Sequence, residues 1–323
     1  MYYLRTTLQY LLTLLAALAA NFFLPRLAPG DPINALLGAD VVETMTEEQV
    51  AQVARELGIH DALHVQLWNY LTGIFTGDFG MSIKLGMPVW DALIQKLPWT
   101  LLLMGFALVI STVIGTVLGV MSAWKRGEIA DIATMGGVLF VGSLPPFWLA
   151  MMLIILFSTT LGWLPSYGAY KVGTSFPSLN WFQGVGLRLI MPVLALAIVQ
   201  TTSVLLIARS SMQMALDQDY IMFARAKGVS EGKIFFKHAF RNALLPLYTH
   251  TMMGLGALIG GSLIIETVFS YPGLGGLIVQ GVNSRDYPLL QGLFVITTIS
   301  IIAANFVTDL LYPLIDPRTR RAG

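Results

Sequence analysis

The chain has 323 residues, of which 55% are hydrophobic and 11% charged, with a formal net charge of +1 and no cysteine. A soluble globular domain is typically about 25% charged, so the composition points to lipid rather than water as the solvent. The missing thiols remove disulfides, thiolate nucleophiles and thiolate metal sites together, and a net charge near zero says nothing about nucleic acid.

The apolar residues gather into six blocks long enough to cross about 30 Å of hydrocarbon as helices, over 8–27, 101–124, 132–161, 189–207, 244–268 and 289–311. The first begins after Arg5 and includes Ala17-Leu18-Ala19, which a signal peptide would also show. It continues to Leu27 and is therefore long enough to span.

Between the first two spans lie about seventy residues, too many for a turn. Thr46-Glu-Glu-Gln49 has the spacing of a capping box, and Val50, Val53, Ala54 and Leu57 recur at helical period before Gly58. A second periodic stretch over 63–75 carries Trp68 and Tyr70, residues that concentrate at membrane surfaces. The expectation is a small helical cap on the outer face. Asp78-Phe79-Gly80 matches a kinase magnesium motif by chance, since nothing else of a kinase is present. His60 and His64 stand four apart without a third ligand, which does not make a metal site.

Gly115 and Gly119 in the second span, and Gly256, Gly260 and Gly261 in the fifth, have the spacing that lets helix backbones approach closely. In the third span Pro145-Pro146 predicts a kink, with two half-helices as the alternative. Polar residues inside spans are default functional candidates because they are costly in lipid. These are Gln200, Thr201, Thr202 and Ser203 in the fourth span and His250 and Glu266 in the fifth, of which Gln200, Thr201, Ser203, His250 and Glu266 are the candidates for a translocation pathway. Asn305 and Asp309 in the sixth are read as holding helices together.

With a cytoplasmic N-terminus, the inner segments hold Arg5, Lys125, Arg126, Arg209, Arg225, Lys227, Lys233, Lys237, Arg241, Arg318, Arg320 and Arg321 of the 19 basic residues. The positive-inside rule then places both termini in the cytoplasm.

The most informative run lies between the fourth and fifth spans. Asp217 or Asp219 can cap a short helix, alanine-rich residues continue it, and Gly228 suits the left-handed position that ends it. Ser230 can cap the next helix, which runs to Pro246 and the membrane. A rigid helix, sharp turn and helix of this kind can hand mechanical displacement to a soluble partner; an ordinary basic loop attracting anionic lipid is the rival reading.

Asp219-Tyr220, Ala224-Arg225-Ala226-Lys227-Gly228, His238-Ala239-Phe240-Arg241-Asn242-Ala243 and Leu245-Pro246 resemble, in order, the EAA loop of bacterial ABC importer permeases of the dipeptide, oligopeptide and nickel family. Other runs agree: Pro29-Gly30-Asp31-Pro32, Gly77-Asp78-Phe79-Gly80, Glu266 to Gly275, Arg285-Asp286-Tyr287-Pro288 and Asp316-Pro317-Arg318. The sequence departs from the pattern at Met222, where the family has glutamate, and at Tyr271, where tryptophan is frequent.

The resemblance implies an all-α integral membrane protein of six transmembrane helices with the type I ABC importer permease fold and a small helical extracytoplasmic insertion between helices 1 and 2. Residues 1–28 would be the N-terminus and first span, 29–100 the extracytoplasmic segment, 101–314 the permease core with its cytoplasmic segment 208–246, and 315–323 a cytoplasmic tail. It also implies a coupling role toward an ATPase for Asp219, Tyr220, Phe223, Ala224, Arg225, Ala226, Lys227 and Gly228. The implied partners are a homologous second permease, two cytoplasmic ATPase subunits and an extracytoplasmic solute-binding protein, in a bacterial inner membrane.

The chain carries no phosphate-binding loop, because Gly228 and Gly232 stand too close together and no Ser or Thr follows Lys233. ATP and Mg2+ are therefore expected in the partner subunits, with no cofactor bound here and no enzymatic activity. An ion-coupled secondary transporter is the alternative, but no clear internal repeat relates the first three spans to the last three. An intramembrane enzyme would need a paired-carboxylate, HExxH or nucleophile motif within the spans, and none is present.

Overall fold

The computed structural model describes residues 2–27, 33, 39–56 and 61–315. The runs Pro29-Gly30-Asp31-Pro32 and Asp316-Pro317-Arg318, together with Leu57, Gly58, His60, Arg320 and Arg321, lie outside them.

In chain order the elements are α1 (Tyr2–Phe23), α2 (Ala39–Thr44), α3 (Glu47–Glu56), α4 (Leu63–Thr76), a two-stranded antiparallel hairpin β1 (Met81–Ser82) and β2 (Met87–Pro88), and α5 (Val89–Trp124). There follow α6 (Ile129–Gly142), α7 (Pro146–Thr160), α8 (Leu179–Leu216), α9 (Asp219–Ala226), α10 (Glu231–Gly260), α11 (Leu263–Val268), α12 (Leu274–Ser284) and α13 (Tyr287–Ile315). Among the described residues five helices are long and apolar enough to cross a membrane alone, and α6 with α7, a broken pair bent by 94°, has the length and composition of a sixth.

That bend corrects the simple kink. Pro145 and Pro146 have no N–H to donate, so the backbone ladder of α6 ends with the Leu144 N–H on the Val141 carbonyl at 3.2 Å and resumes with the Leu149 N–H on the Pro145 carbonyl at 3.1 Å. The fifth block also divides, since Gly261 takes a positive φ of 65° and α11 starts afresh beyond it. Two helices run well past their predicted ends. α5 begins at Val89 because Val89, Ala92 and Leu93 are buried against Leu274, Leu277, Leu289 and Leu293. α8 spans 38 residues, opened by Ser178, whose hydroxyl accepts the Trp181 N–H at 3.2 Å.

The chain divides into two compact units. The first comprises residues 1–100, 259–263 and 272–302. In it the capping box forms as spaced: the Thr46 N–H donates to Gln49 Oε1 at 2.9 Å, and the Gln49 N–H to Thr46 Oγ1 at 3.3 Å. Phe22, Leu18, Tyr70 and Val295 form a buried cluster that seats α4 on α1 and α13. Tyr70 donates to the Leu18 carbonyl at 3.2 Å, and burial pushes its phenol up to about 12. Arg26 closes the end of α1 by donating to the Phe22 carbonyl at 2.7 Å while its guanidinium lies 3.7 Å above the Phe22 ring.

The second unit comprises residues 101–258, 264–271 and 303–323. Its core joins α5, α8, α9 and α10 through Val120, Ala123, Val204, Ala208, Met212, Ile221, Ala224, Ile234 and Ala243. Small residues set the spacing here: a Cβ on Gly115 would stand 2.6 Å from the Val204 Cβ, and one on Gly119 2.7 Å from that of Ala208. Both distances are below van der Waals contact, so glycine is required for α5 to lie against α8.

Candidate functional site: the turn between α9 and α10

The helix foreseen between the fourth and fifth spans is present as α9. Neither Asp217 nor Asp219 caps it. Gln218 stands at the N-cap in an extended conformation without a side-chain bond, because Asp217 is taken up by the end of α8, its N–H bonded to the Gln213 carbonyl at 3.0 Å. Asp219 instead sits in the first turn, where a carboxylate meets the positive end of the helix dipole.

The far end of α9 closes as a Schellman motif. The Val229 N–H reaches the Ala224 carbonyl at 3.1 Å and the Gly228 N–H the Arg225 carbonyl at 2.9 Å. Gly228 has φ +74°, and a Cβ there would meet nothing within 4 Å, so its requirement for glycine is conformational. Ser230 precedes α10 in an extended conformation, and its hydroxyl makes no capping bond.

Five side-chain hydrogen bonds brace the turn. Arg225 Nε and Nη2 donate to the two Glu231 oxygens at 3.0 and 3.3 Å. Asn242 Nδ2 donates to the Tyr220 hydroxyl at 2.7 Å and to the His238 carbonyl at 3.0 Å, and the Tyr220 hydroxyl donates to that same carbonyl at 3.3 Å. Ile221 and Ala224 anchor α9 in the core, leaving Met222 and Phe223 each 63% exposed beside Ala226 and Lys227. Met222, at the family's glutamate position, faces away from the core; the ion pair of this turn is Arg225–Glu231.

Above the turn, α5, α8, α9 and α10 line an open cavity of about 1100 Å3. Its polar lining includes Thr112, Thr116, Ser211, Gln218, Tyr220, Arg241, Asn242, Tyr248 and Thr251, and its apolar lining Met214, Leu244, Leu245, Leu247 and Met252. None of the five polar span residues named from the sequence lies on this wall. The Gln200 amide oxygen accepts the Ser111 hydroxyl at 3.1 Å and the Thr201 hydroxyl donates to the Ala197 carbonyl at 2.6 Å. Ser203 is exposed, His250 half-buried, and Glu266 buried on α11. The lining was legible as a helical spacing, Thr112 with Thr116 on α5 and Ser211, Met214, Ala215 and Gln218 on α8.

Six membrane crossings with an ordered helix-turn-helix between the fourth and fifth define a multi-pass helical membrane protein of the permease class. Residues 115–321 match the binding-protein-dependent transport system inner membrane component, and residues 1–104 match the N-terminal part of such membrane components. The chain belongs to this family. It is 35% identical over 319 residues to the oligopeptide transport system permease protein AppB of Bacillus subtilis, covering 98% of each chain. To the dipeptide transport system permease protein DppB of Escherichia coli it is 33% identical over 317 residues, covering 93% of each. The inward-facing MetNI methionine ABC transporter contains a chain that shares the fold, with a TM-score of 0.55 at 19% identity, over 70% of this chain and 96% of that one.

Proposed function

We propose that this permease forms half of the translocation pathway of an ATP-driven importer for peptides or similar small solutes, with both termini in the cytoplasm of a bacterial cell. The observation that carries this reading is α9: a short rigid helix, anchored by Ile221 and Ala224 and presenting Met222, Phe223 and Lys227 outward. A groove on a cytoplasmic ATPase subunit would receive that face, with Asp219, Tyr220, Phe223, Ala224, Arg225, Ala226, Lys227 and Gly228 as the coupling segment. ATP and Mg2+ would be bound by two such ATPase subunits, a homologous permease would complete the channel, and a solute-binding protein would deliver cargo from outside. The chain itself binds no cofactor and catalyses no reaction in this reading. Its likeness to an oligopeptide permease of Bacillus and a dipeptide permease of Escherichia supports peptides as the solute class.

The solute would leave through the cavity lined by α5, α8, α9 and α10, with Gln200, Thr201, Ser203, His250 and Glu266 as the candidate pathway groups deeper in the bilayer. Gln200 and Ser203 lie roughly two to three turns before Ser211 on α8, and His250 adjoins Thr251 on α10. ATP acts by binding one state of the assembly better than the other.

The test is import of labelled dipeptides and oligopeptides into proteoliposomes containing both permeases, the ATPases and the binding protein. Uptake that requires internal ATP supports the reading. Uptake by the chain alone, driven by a proton or sodium gradient, contradicts it.

A further inference from the structure

α6 is the half-span that apolar packing holds least: its only buried residue is Asp131, 4% exposed, while Ile132 and Phe140 are 66% and 70% exposed. A lone buried carboxylate is costly in lipid and demands partners. Four donors supply them. Arg209 Nε and Nη2 on α8 reach the two Asp131 oxygens at 3.0 and 2.9 Å, the Gly127 N–H reaches Oδ2 at 3.0 Å, and the Ser122 hydroxyl on α5 donates to Oδ1.

The fork is planar and two-pronged, a geometry that fixes direction as well as distance. Its neighbours in sequence belong to the core that holds α9. Ala123 follows Ser122 and Ala208 precedes Arg209, and both pack with Ile221 and Ala224. α6 touches α8 at a second place, where the Thr202 hydroxyl donates to the Val138 carbonyl at 3.3 Å. A Cβ on Gly142 would there fall 2.8 Å from the Thr202 Cβ.

We propose that Asp131 and Arg209 are a positioning pair that makes α6 travel with the body carrying α9 when the transporter changes state. The idea rests on the importer reading above. Buried pairs of this kind add little net stability over apolar packing, whereas breaking one is disruptive, so the pair serves direction of motion: without it α6 keeps the Thr202 contact at its far end and its near end can lag behind α8.

Because the chain has no cysteine, the motion is measurable with spin labels on Ala133→Cys in α6 and Lys233→Cys in α10, in the complete reconstituted complex. With Asp131 intact, the distance between labels should hold within about 2 Å, the scale of packed-helix shifts, between nucleotide-free and ATP-trapped states. In Asp131→Asn the distance should change between those states. The solute imported per ATP hydrolysed should then fall at least about fivefold with basal ATPase activity kept. Arg209→Lys, which keeps the charge and loses the fork, should fall between.

A state-dependent change in the distance with Asp131 intact overturns the proposal whether or not the variants assemble. An unchanged import ratio in Asp131→Asn overturns it too, as does an equal loss of import and ATPase activity. Failure of the importer reading is distinguishable, because it appears as ATP-independent uptake with Asp131 and Arg209 intact.

Discussion

The Ser82 hydroxyl donates to the Asp286 carboxylate at 2.6 Å, closing 204 residues of sequence with both residues buried. The same carboxylate accepts the Lys84 N–H at 3.0 Å and, through its other oxygen, the Leu289 N–H at 3.2 Å. One side chain thus caps α13 and pins the β1–β2 hairpin to it. Asp286→Ala leaves three donors to find new partners in a buried site, and should destabilise the protein by about 2–3 kcal/mol. Thermal unfolding of the purified chain in detergent measures this, and Asp286→Asn should lose less.

Gly228 offers a cleaner separation of cause. A β-branched side chain would be strained at φ +74° yet has room, so Gly228→Val should cost about 1–2 kcal/mol locally through backbone strain. Gly228→Asn, which tolerates the left-handed region, should cost less. Solute-stimulated ATPase activity and import should fall in the order Gly, Asn, Val, with membrane insertion unchanged.

The exposed pair Met222 and Phe223 should govern ATPase docking. Phe223→Ala removes a ring that is 63% exposed, so ATPase copurification should weaken while the thermal stability of the isolated permease stays the same. Stability lost in step with docking would mean the ring packs internally.

Tyr220→Phe deletes the hydroxyl that links Asn242 and the His238 carbonyl. Each such bond contributes on the order of 1 kcal/mol, and the ring itself remains in place. Coupling should drop severalfold without loss of assembly, as read from the import-to-ATPase ratio.

Much of this architecture was legible in the residues. The blocks of apolar sequence located all six crossings, Thr46 and Gln49 announced their capping box, and Gly228 announced the end of α9. What escaped detection depended on contacts distant in sequence. Val89 to Leu93 carry charges nearby at Asp91 and Lys96, so the start of α5 read as a polar segment until Leu289 and Leu293 covered it. α12 went unforeseen although Leu274, Leu277 and Gly281 repeat at helical period, because its 11 residues include Gly275, Gly276 and Gly281, which have low helix propensity. Asp131 stood at the edge of an apolar block as an ordinary flanking charge; only the fold brings Arg209, 78 residues away, to its side.

The central claim is that α9 meets an ATPase beneath the bilayer, and a single thiol tests it most directly. With Lys227→Cys as the sole cysteine in this chain, a short thiol–amine cross-linker applied to membranes holding the whole assembly should join the permease to the ATPase subunit, and a membrane-impermeant thiol reagent added to intact cells should leave the site unlabelled. Labelling from outside, with no ATPase adduct, would contradict the account.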